Sequence, residues 1–220
     1  MAQKKLENLW QKGRKQMLND VTVFNIREYL SAKGDKDLGE DELRQLLSEF
    51  FCDKNPDVER FLKEQSIEFT KKNQSVTYLV FSNEDASLVG YFTITIKPIT
   101  VNAENFSNTM KRKIARVSEL DEENGTYTLS AYLIAQLGKN FKDGANEKIT
   151  GEQLLHAAVD TIKELQYMAG GMVIFLEAED NDKLMHFYED ENGFKQFDVR
   201  EMKCRDKEEI HKLVQLLKVM

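Results

Sequence analysis

The sequence predicts an α/β protein (α+β class) built on a mixed, largely antiparallel sheet with helices on both faces. Residues 77–82 and 88–96 are β-branched and aromatic runs around a turn, which predicts an antiparallel hairpin. Farther along, the apolar runs 127–137 and 172–178 flank a helical pattern at 150–168. A strand, a helix and a strand in this order imply a parallel pair, because parallel strands need a crossover connection.

Helices are predicted before the hairpin. Residues 4–18 have apolar side chains near helical spacing, and residues 41–51 carry an apolar stripe. A proline and an aspartate favour a first helical turn at the start of residues 56–71. Residues 21–30 fit either a helix or a strand.

The elements after the hairpin complete the predicted order. Pro98 ends the second hairpin strand, because proline cannot donate to a ladder. Residues 102–126 then form an excursion or a short helix. A helix at 182–189, a strand at 194–203 and a final helix at 207–217 follow.

The helix at 150–168 has the clearest start and stop signals. Thr150 and Gln153 have capping-box spacing, and the Gly-Gly pair at 170–171 ends the helix. Exposed N–H groups at such a helix start form an anion site. The later Phe-Tyr pair at 187–188 returns the chain to the same place, and a tyrosine beside a bound phosphorylated cofactor can serve as a proton donor.

Composition limits the function classes. The formal net charge of −7 argues against a nucleic-acid partner, which needs a basic surface. No apolar run approaches the roughly 20 residues of a membrane span, and no export signal is recognisable. Two separate cysteines favour a reducing cytoplasm. The three histidines lack the spacing of zinc ligands, so no metal is expected.

The loop before the helix at 150–168 carries a recognisable motif. It reads Asn-Glu-Lys-Ile-Thr-Gly at residues 146–151 and precedes a Leu-Leu pair, and a Gly-Gly, strand, Phe-Tyr, Gly-Phe string follows at 170–194. This resembles the Gcn5-related N-acetyltransferase (GNAT) superfamily, whose acetyl-CoA loop is Arg/Gln-x-x-Gly-x-Gly/Ala. Asn146 replaces the Arg or Gln, Ile149 replaces the first glycine, and Gly151 keeps the second.

The resemblance implies a GNAT fold with a central, splayed parallel strand pair and acetyl-CoA as co-substrate. It divides the chain into an N-terminal helical extension (1–49) that packs on the core and an acetyltransferase domain (50–220). The preceding strand would hold the pantetheine arm by its backbone at Tyr132, Leu133, Ile134 and Ala135. The loop and helix start would hold the pyrophosphate, through Asn146, Lys148, Ile149, Thr150, Gly151, Glu152 and Gln153.

Further candidate positions lie at the end of the second core strand and after it. Tyr188 matches the tyrosine that protonates the departing thiolate of CoA, although its spacing to Gly193 is one residue longer than usual. Asn181 matches a small polar contact to the cofactor. The acceptor amine would lose its proton to a carboxylate at the end of the second core strand, Glu177 or Glu179, or to a water chain.

Three functions remain open at this point. The first is a cytoplasmic, bacterial N-acetyltransferase acting on a small-molecule or protein amine, without a membrane or nucleic-acid partner and in a fold that often forms homodimers. The second is a GNAT-type toxin that acetylates aminoacyl-tRNA. The third is a degenerate GNAT fold that serves as a non-enzymatic interaction module.

Overall fold

A computed structural model describes the chain at residues 15–18, 20–31, 39–203 and 210–220. The described chain divides into two compact units. Unit 1 comprises the described residues up to Thr95 together with Ala135–Glu164, and unit 2 comprises Ile96–Ile134 and the described residues from Leu165 onward. The division predicted at residues 1–49 and 50–220 stays a prediction.

Unit 1 contains an antiparallel arrangement of four strands. β1 (Lys15–Leu18) pairs with β2 (Val21–Asn25), and β2 pairs with β3 (Val76–Ser82). β3 forms the predicted hairpin with the first part of β4 (Leu88–Asn102). The predicted helix at 4–18 is therefore wrong at residues 15–18, which form β1, and its remainder lies outside the described residues.

The helices of unit 1 follow the predicted order. α1 (Ile26–Ser31) comes directly after β2, and α2 (Glu40–Ser48) matches the amphipathic segment. α3 (Pro56–Arg60) continues through a π-helical stretch (Phe61–Gln65) into α4 (Ser66–Lys71). The side chain of the preceding Asn55 caps α3, which explains why the helix begins at the proline.

Aromatic side chains form much of the core of unit 1. The rings of Phe24 and Phe81 meet edge to face with centroids 5.6 Å apart, and those of Phe50 and Tyr91 do so at 5.1 Å. The buried hydroxyl of Tyr91 donates to the carbonyl of Val58 at 2.6 Å. The hairpin and α3 are thus joined by a hydrogen bond as well as by apolar contact.

Unit 2 begins within β4, which continues past Pro98 to Asn102, so the prediction that Pro98 ends this strand is wrong. β3 begins at Val76, whose partner on β4 is Ile94. Position 98 therefore lies beyond the end of β3, where a missing N–H removes no bond to that strand. A 3-10 turn (Ala103–Asn105), α5 (Asn108–Ile114) and the short β5 (Leu120–Asp121) follow.

The strand–helix–strand unit has the predicted parallel pair. β6 (Thr126–Lys139), α6 (Gly151–Ala169) and β7 (Val173–Glu179) follow one another. The parallel ladder runs only from Ala131↔Val173 to Ile134↔Leu176, although both strands continue. The predicted class of a mixed, largely antiparallel sheet with one parallel pair is confirmed, and the splay of that pair stays a prediction.

The chain end differs from the prediction. α7 (Asp182–Met185) continues into a π-helical stretch (His186–Glu191), and β8 (Lys195–Lys203) follows as expected. The predicted final helix at 207–217 is wrong, because β9 (Ile210–Val219) is a strand that pairs antiparallel with both β7 and β8. Two ladders and the burial of Val214, Leu216 and Leu217 outweigh the local helical pattern.

We expect Gly90→Ala to lower the free energy of unfolding by about 1–3 kcal/mol, the usual cost of overpacking. A Cβ at Gly90 would lie 2.9 Å from the carbonyl oxygen of Gly138 and 3.2 Å from the side chain of Leu154. Urea denaturation measures the change, with Glu84→Ala in the exposed β3–β4 turn as a near-neutral control. Equal stability of the two variants would contradict this close approach.

Candidate functional site

The start of α6 carries the predicted capping box. The Gln153 amide donates to the Thr150 side-chain oxygen at 3.0 Å, and the Thr150 amide donates to the Gln153 side-chain oxygen at 2.8 Å. These two bonds satisfy two of the amide groups that a helix start leaves open. The amides of Gly151 and Glu152 have no hydrogen-bond partner among the described residues, so they are the donors available to an anion.

The loop before α6 is held by an ion pair and by a buried side chain. Lys148 forms a short contact with Asp85 in the β3–β4 turn, and it also reaches the hydroxyl of Ser87 at 3.2 Å. The Lys148 ammonium lowers the pKa of Asp85 to about 2. Ile149 is buried, so the side chain that replaces the family's first glycine packs inward. Asn146 is half-buried.

Asn140 organises the turn that connects β6 to this loop. Its backbone amide donates to the carbonyl of Val89. Both the oxygen and the nitrogen of its side chain also form hydrogen bonds. The side-chain oxygen accepts from the amides of Phe51 and Lys142, and the side-chain nitrogen donates to the carbonyls of Glu49 and Leu88. Asn140 is therefore a structural residue that the sequence analysis did not identify.

Two lysines lie near this turn. Burial and the neighbouring Lys54 lower the pKa of Lys139. The Lys54 ammonium lies 4.6 Å from the centre of the Phe141 ring. Unit 1 therefore presents two cations that have no carboxylate partner among the described residues.

The four β6 residues predicted to contact pantetheine have different backbone environments. Tyr132, Leu133 and Ile134 are buried and lie within the ladder with β7. Ala135 is the first residue after the last ladder pair. The Tyr132 hydroxyl donates to the carbonyl of Gly170 at 2.5 Å, which ties β6 to the end of α6.

Tyr188 lies in the π-helical stretch of unit 2. Its ring meets those of Phe187 and Phe194 edge to face, with centroids 4.9 Å and 5.9 Å away. Burial raises the pKa of Tyr188 to about 12. Its hydroxyl has no hydrogen-bond partner among the described residues, and with this raised pKa the phenol carries its proton at neutral pH.

The other predicted residues of unit 2 have defined contacts. Glu177 accepts from the Gln215 side chain at 2.6 Å and lies 3.6 Å from the Arg200 guanidinium. Glu179 is exposed at the end of β7. Asn181 caps α7, because its side-chain oxygen accepts from the Lys183 amide at 2.9 Å.

Two features are absent from the described residues, a metal-binding cluster and a membrane-spanning helix. No group of three or more His, Cys, Asp or Glu side chains is arranged to hold a metal ion. Within the same parts of the chain, no helix has the length and hydropathy of a membrane span.

Comparison with known proteins found solved structures of similar fold. No family model matches the sequence, and a search of curated proteins found no match. Solved structures do match. AtaT complexed with acetyl-methionyl-tRNAfMet has a TM-score of 0.56 and 16% identity, over 89% of this chain and 94% of that one.

Two more structures have similar scores. A tyrosine-to-phenylalanine mutant of KacT has a TM-score of 0.55 and 17% identity, over 91% of this chain and 95% of that one. A corresponding mutant of the AtaT toxin, bound to the C-terminus of the antitoxin AtaR and to acetyl-CoA, has a TM-score of 0.51 and 15% identity, over 91% and 94%. At these identities the likeness shows the fold, and the predicted GNAT fold is confirmed.

We expect Thr150→Ala to lower the free energy of unfolding by about 1 kcal/mol, the usual cost of losing an N-cap. The substitution removes the acceptor of the Gln153 amide. Thr150→Ser is the matched control, because serine keeps that acceptor. Urea denaturation compares the three proteins, and equal losses in both variants would show that the capping bond does not stabilise α6.

Proposed function

We propose that this chain is an acetyl-CoA-dependent N-acetyltransferase. The observation that carries the proposal is the start of α6, where two open amides follow β6 in a GNAT fold. Gly151 has no side chain at the place where a pyrophosphate must approach the backbone. The fold shared with AtaT bound to acetyl-CoA supports the same cofactor.

The pyrophosphate would bind to unit 1. The amides of Gly151 and Glu152 would donate to its oxygens, and the positive end of the α6 dipole would favour its charge. Lys148 would add a cation whose charge is partly balanced by Asp85. Thr150 and Gln153 would contribute by fixing the helix start, while Ile149 and Asn146 would shape the loop.

The reaction would be direct attack of a neutral amine on the thioester. The acetyl carbon gains a bond to the amine nitrogen and loses its bond to the CoA sulfur. Tyr188 would donate its phenolic proton to the departing sulfur, because the phenol is protonated near neutral pH. Glu177 would accept the proton of the amine, directly or through water, with Gln215 and Arg200 orienting its carboxylate.

The remaining positions have supporting roles. The backbone of β6 from Tyr132 to Ala135 would hold the pantetheine arm. Asn181 would orient α7 at the end of β7 through its capping bond. A metal ion takes no part in the proposed chemistry.

The acceptor best supported by the relatives is the amine of an aminoacyl-tRNA. AtaT has been observed with acetyl-methionyl-tRNAfMet, which carries an acetylated amine. KacTA has been observed with DNA. The prediction that the acidic balance argues against a nucleic-acid partner is therefore not supported. A toxin that acetylates aminoacyl-tRNA becomes a better candidate than an enzyme for small amines.

We expect Gly151→Glu to abolish acetyl-CoA binding in a calorimetric titration, while the native protein binds at micromolar concentration. The new side chain brings bulk and a negative charge to the pyrophosphate position. Folding should be retained, because an acidic residue in the first turn suits the helix dipole. Gly151→Ala is the matched control and should bind more weakly than the native protein but measurably. Unchanged binding by Gly151→Glu would refute this pyrophosphate site.

We expect Tyr188→Phe to lower acetyl transfer by roughly 10²- to 10⁴-fold, the scale of losing a general acid, with acetyl-CoA affinity nearly unchanged. Tyr127→Phe is the matched control, because it removes a hydroxyl from another buried tyrosine of unit 2. Transfer rates at saturating acetyl-CoA give the comparison. Similar rates for the two variants would remove Tyr188 from the mechanism.

A further inference from the structure

Unit 2 has a concentration of positive charge that its own carboxylates do not balance. Residues 107–118 contain four cationic side chains and no acidic one, in a chain with a net charge of −7. These four, which we name the α5 cations, are Lys111, Arg112, Lys113 and Arg116. None of them forms an ion pair with a described residue, whereas carboxylate partners are present for Arg44, Arg60, Lys63, Lys71, Lys72, Lys142, Lys148, Lys163 and Arg200.

The way in which α5 packs leaves most of these cationic side chains exposed to solvent. The side chain of Ser107 accepts from the Met110 amide and starts α5, and Ile114 is the helix residue that is buried. Arg112, Lys113 and Arg116 are exposed. Because Ile114 is the side chain that packs inward, these basic side chains lie on the outer face of the segment.

A pocket of about 160 Å³ lies at the beginning of the same segment. Phe106 and Met110 line it from the α5 side, and Lys195 and Phe197 line it from β8. Lys218 of β9 adds a second ammonium group to the lining of the pocket. The pocket thus combines aromatic surface with ammonium groups.

A β-bulge shapes this pocket. The register between β8 and β9 shifts between Gln196 and Asp198, which leaves Phe197 without a ladder partner. The Asn105 side chain donates to the freed carbonyl of Phe197 at 3.1 Å. Bulges commonly redirect a side chain at a functional position, and here the bulged residue is one of the pocket's two phenylalanines.

We propose that the α5 cations and this pocket bind a single-stranded segment of RNA. The four cations would contact successive phosphates, and an unpaired base would stack on Phe197 inside the pocket. Single-stranded nucleic acid is bound by this combination of cationic track and aromatic platform. The proposal rests on the proposed function, because it assigns the surface by which an RNA-linked amine would be held.

The first test measures the salt dependence of RNA binding. Fluorescence anisotropy of a labelled 12-nucleotide single-stranded RNA would be followed from about 50 to 200 mM salt. Each phosphate contact adds about 0.7 to the slope of log K against log salt. Replacing all four α5 cations with glutamine should flatten the slope by up to about 2.8 and weaken binding at least tenfold at 100 mM salt.

The control removes the same charge elsewhere. It replaces with glutamine four exposed residues of unit 1 that have carboxylate partners: Arg44, Arg60, Lys72 and Lys163. Exposed ion pairs contribute little to stability, so this variant should fold and should bind RNA within about twofold of the native protein. Equal losses in the two quadruple variants would overturn the proposal, because only net charge would then matter.

The second test concerns the pocket. Phe197→Ala should weaken RNA binding by about 5- to 100-fold, the effect of losing one stacked base, without changing the salt slope. Phe197→Tyr keeps the ring and should restore binding. Failure of the tyrosine variant to restore it, or binding of a 12-residue polyglutamate peptide as tightly as the RNA, would also overturn the proposal.

Acetyl-CoA titrations separate this proposal from the proposed function. The glutamine variant of the α5 cations should bind acetyl-CoA as the native protein does. RNA binding that is absent beside normal acetyl-CoA binding would refute the RNA surface alone. RNA binding that follows the predicted pattern in a protein without acetyl-CoA binding would support the surface and refute the acetyltransferase.

Discussion

The hydrogen bonds of Asn140 are the interaction on which the geometry of unit 1 depends. A single buried side chain joins residues 49–51, the start of β4 at Leu88, and the turn after β6. Each of its polar atoms is satisfied, and burying any of them unpaired would cost about 1–3 kcal/mol. The turn after β6 is consequently fixed before the chain reaches α6.

Because this turn is fixed, the backbone amides at the start of α6 are held in defined positions. The capping box of Thr150 and Gln153 pairs two amides at the start of α6, and those of Gly151 and Glu152 stay open. Donors held in place before a ligand arrives need no rearrangement when it binds, which is the advantage of preorganised electrostatics. In unit 2, the buried Tyr188 phenol carries its proton at neutral pH.

Local signals were predictable from the sequence, whereas several long-range contacts were not. The capping box of α6 and its Gly-Gly stop depend on residues a few positions apart, and both were predicted correctly. β9 was predicted as a helix, because its pairing with β7 and β8 is invisible to local periodicity. The Lys148–Asp85 contact joins residues 63 positions apart and left no pattern in the sequence. The α5 cations were visible as a basic run, whereas their lack of carboxylate partners required the structure.

The most direct test of the central claim is transfer of a labelled acetyl group from acetyl-CoA to the amine of methionyl-tRNA. We predict label in an amide that survives mild base after the ester to tRNA is cleaved, together with one free CoA thiol for each amide formed. Free methionine and small amines serve as alternative acceptors in the same assay. CoA release that never exceeds the uncatalysed rate with any acceptor would contradict the assignment as an acetyltransferase.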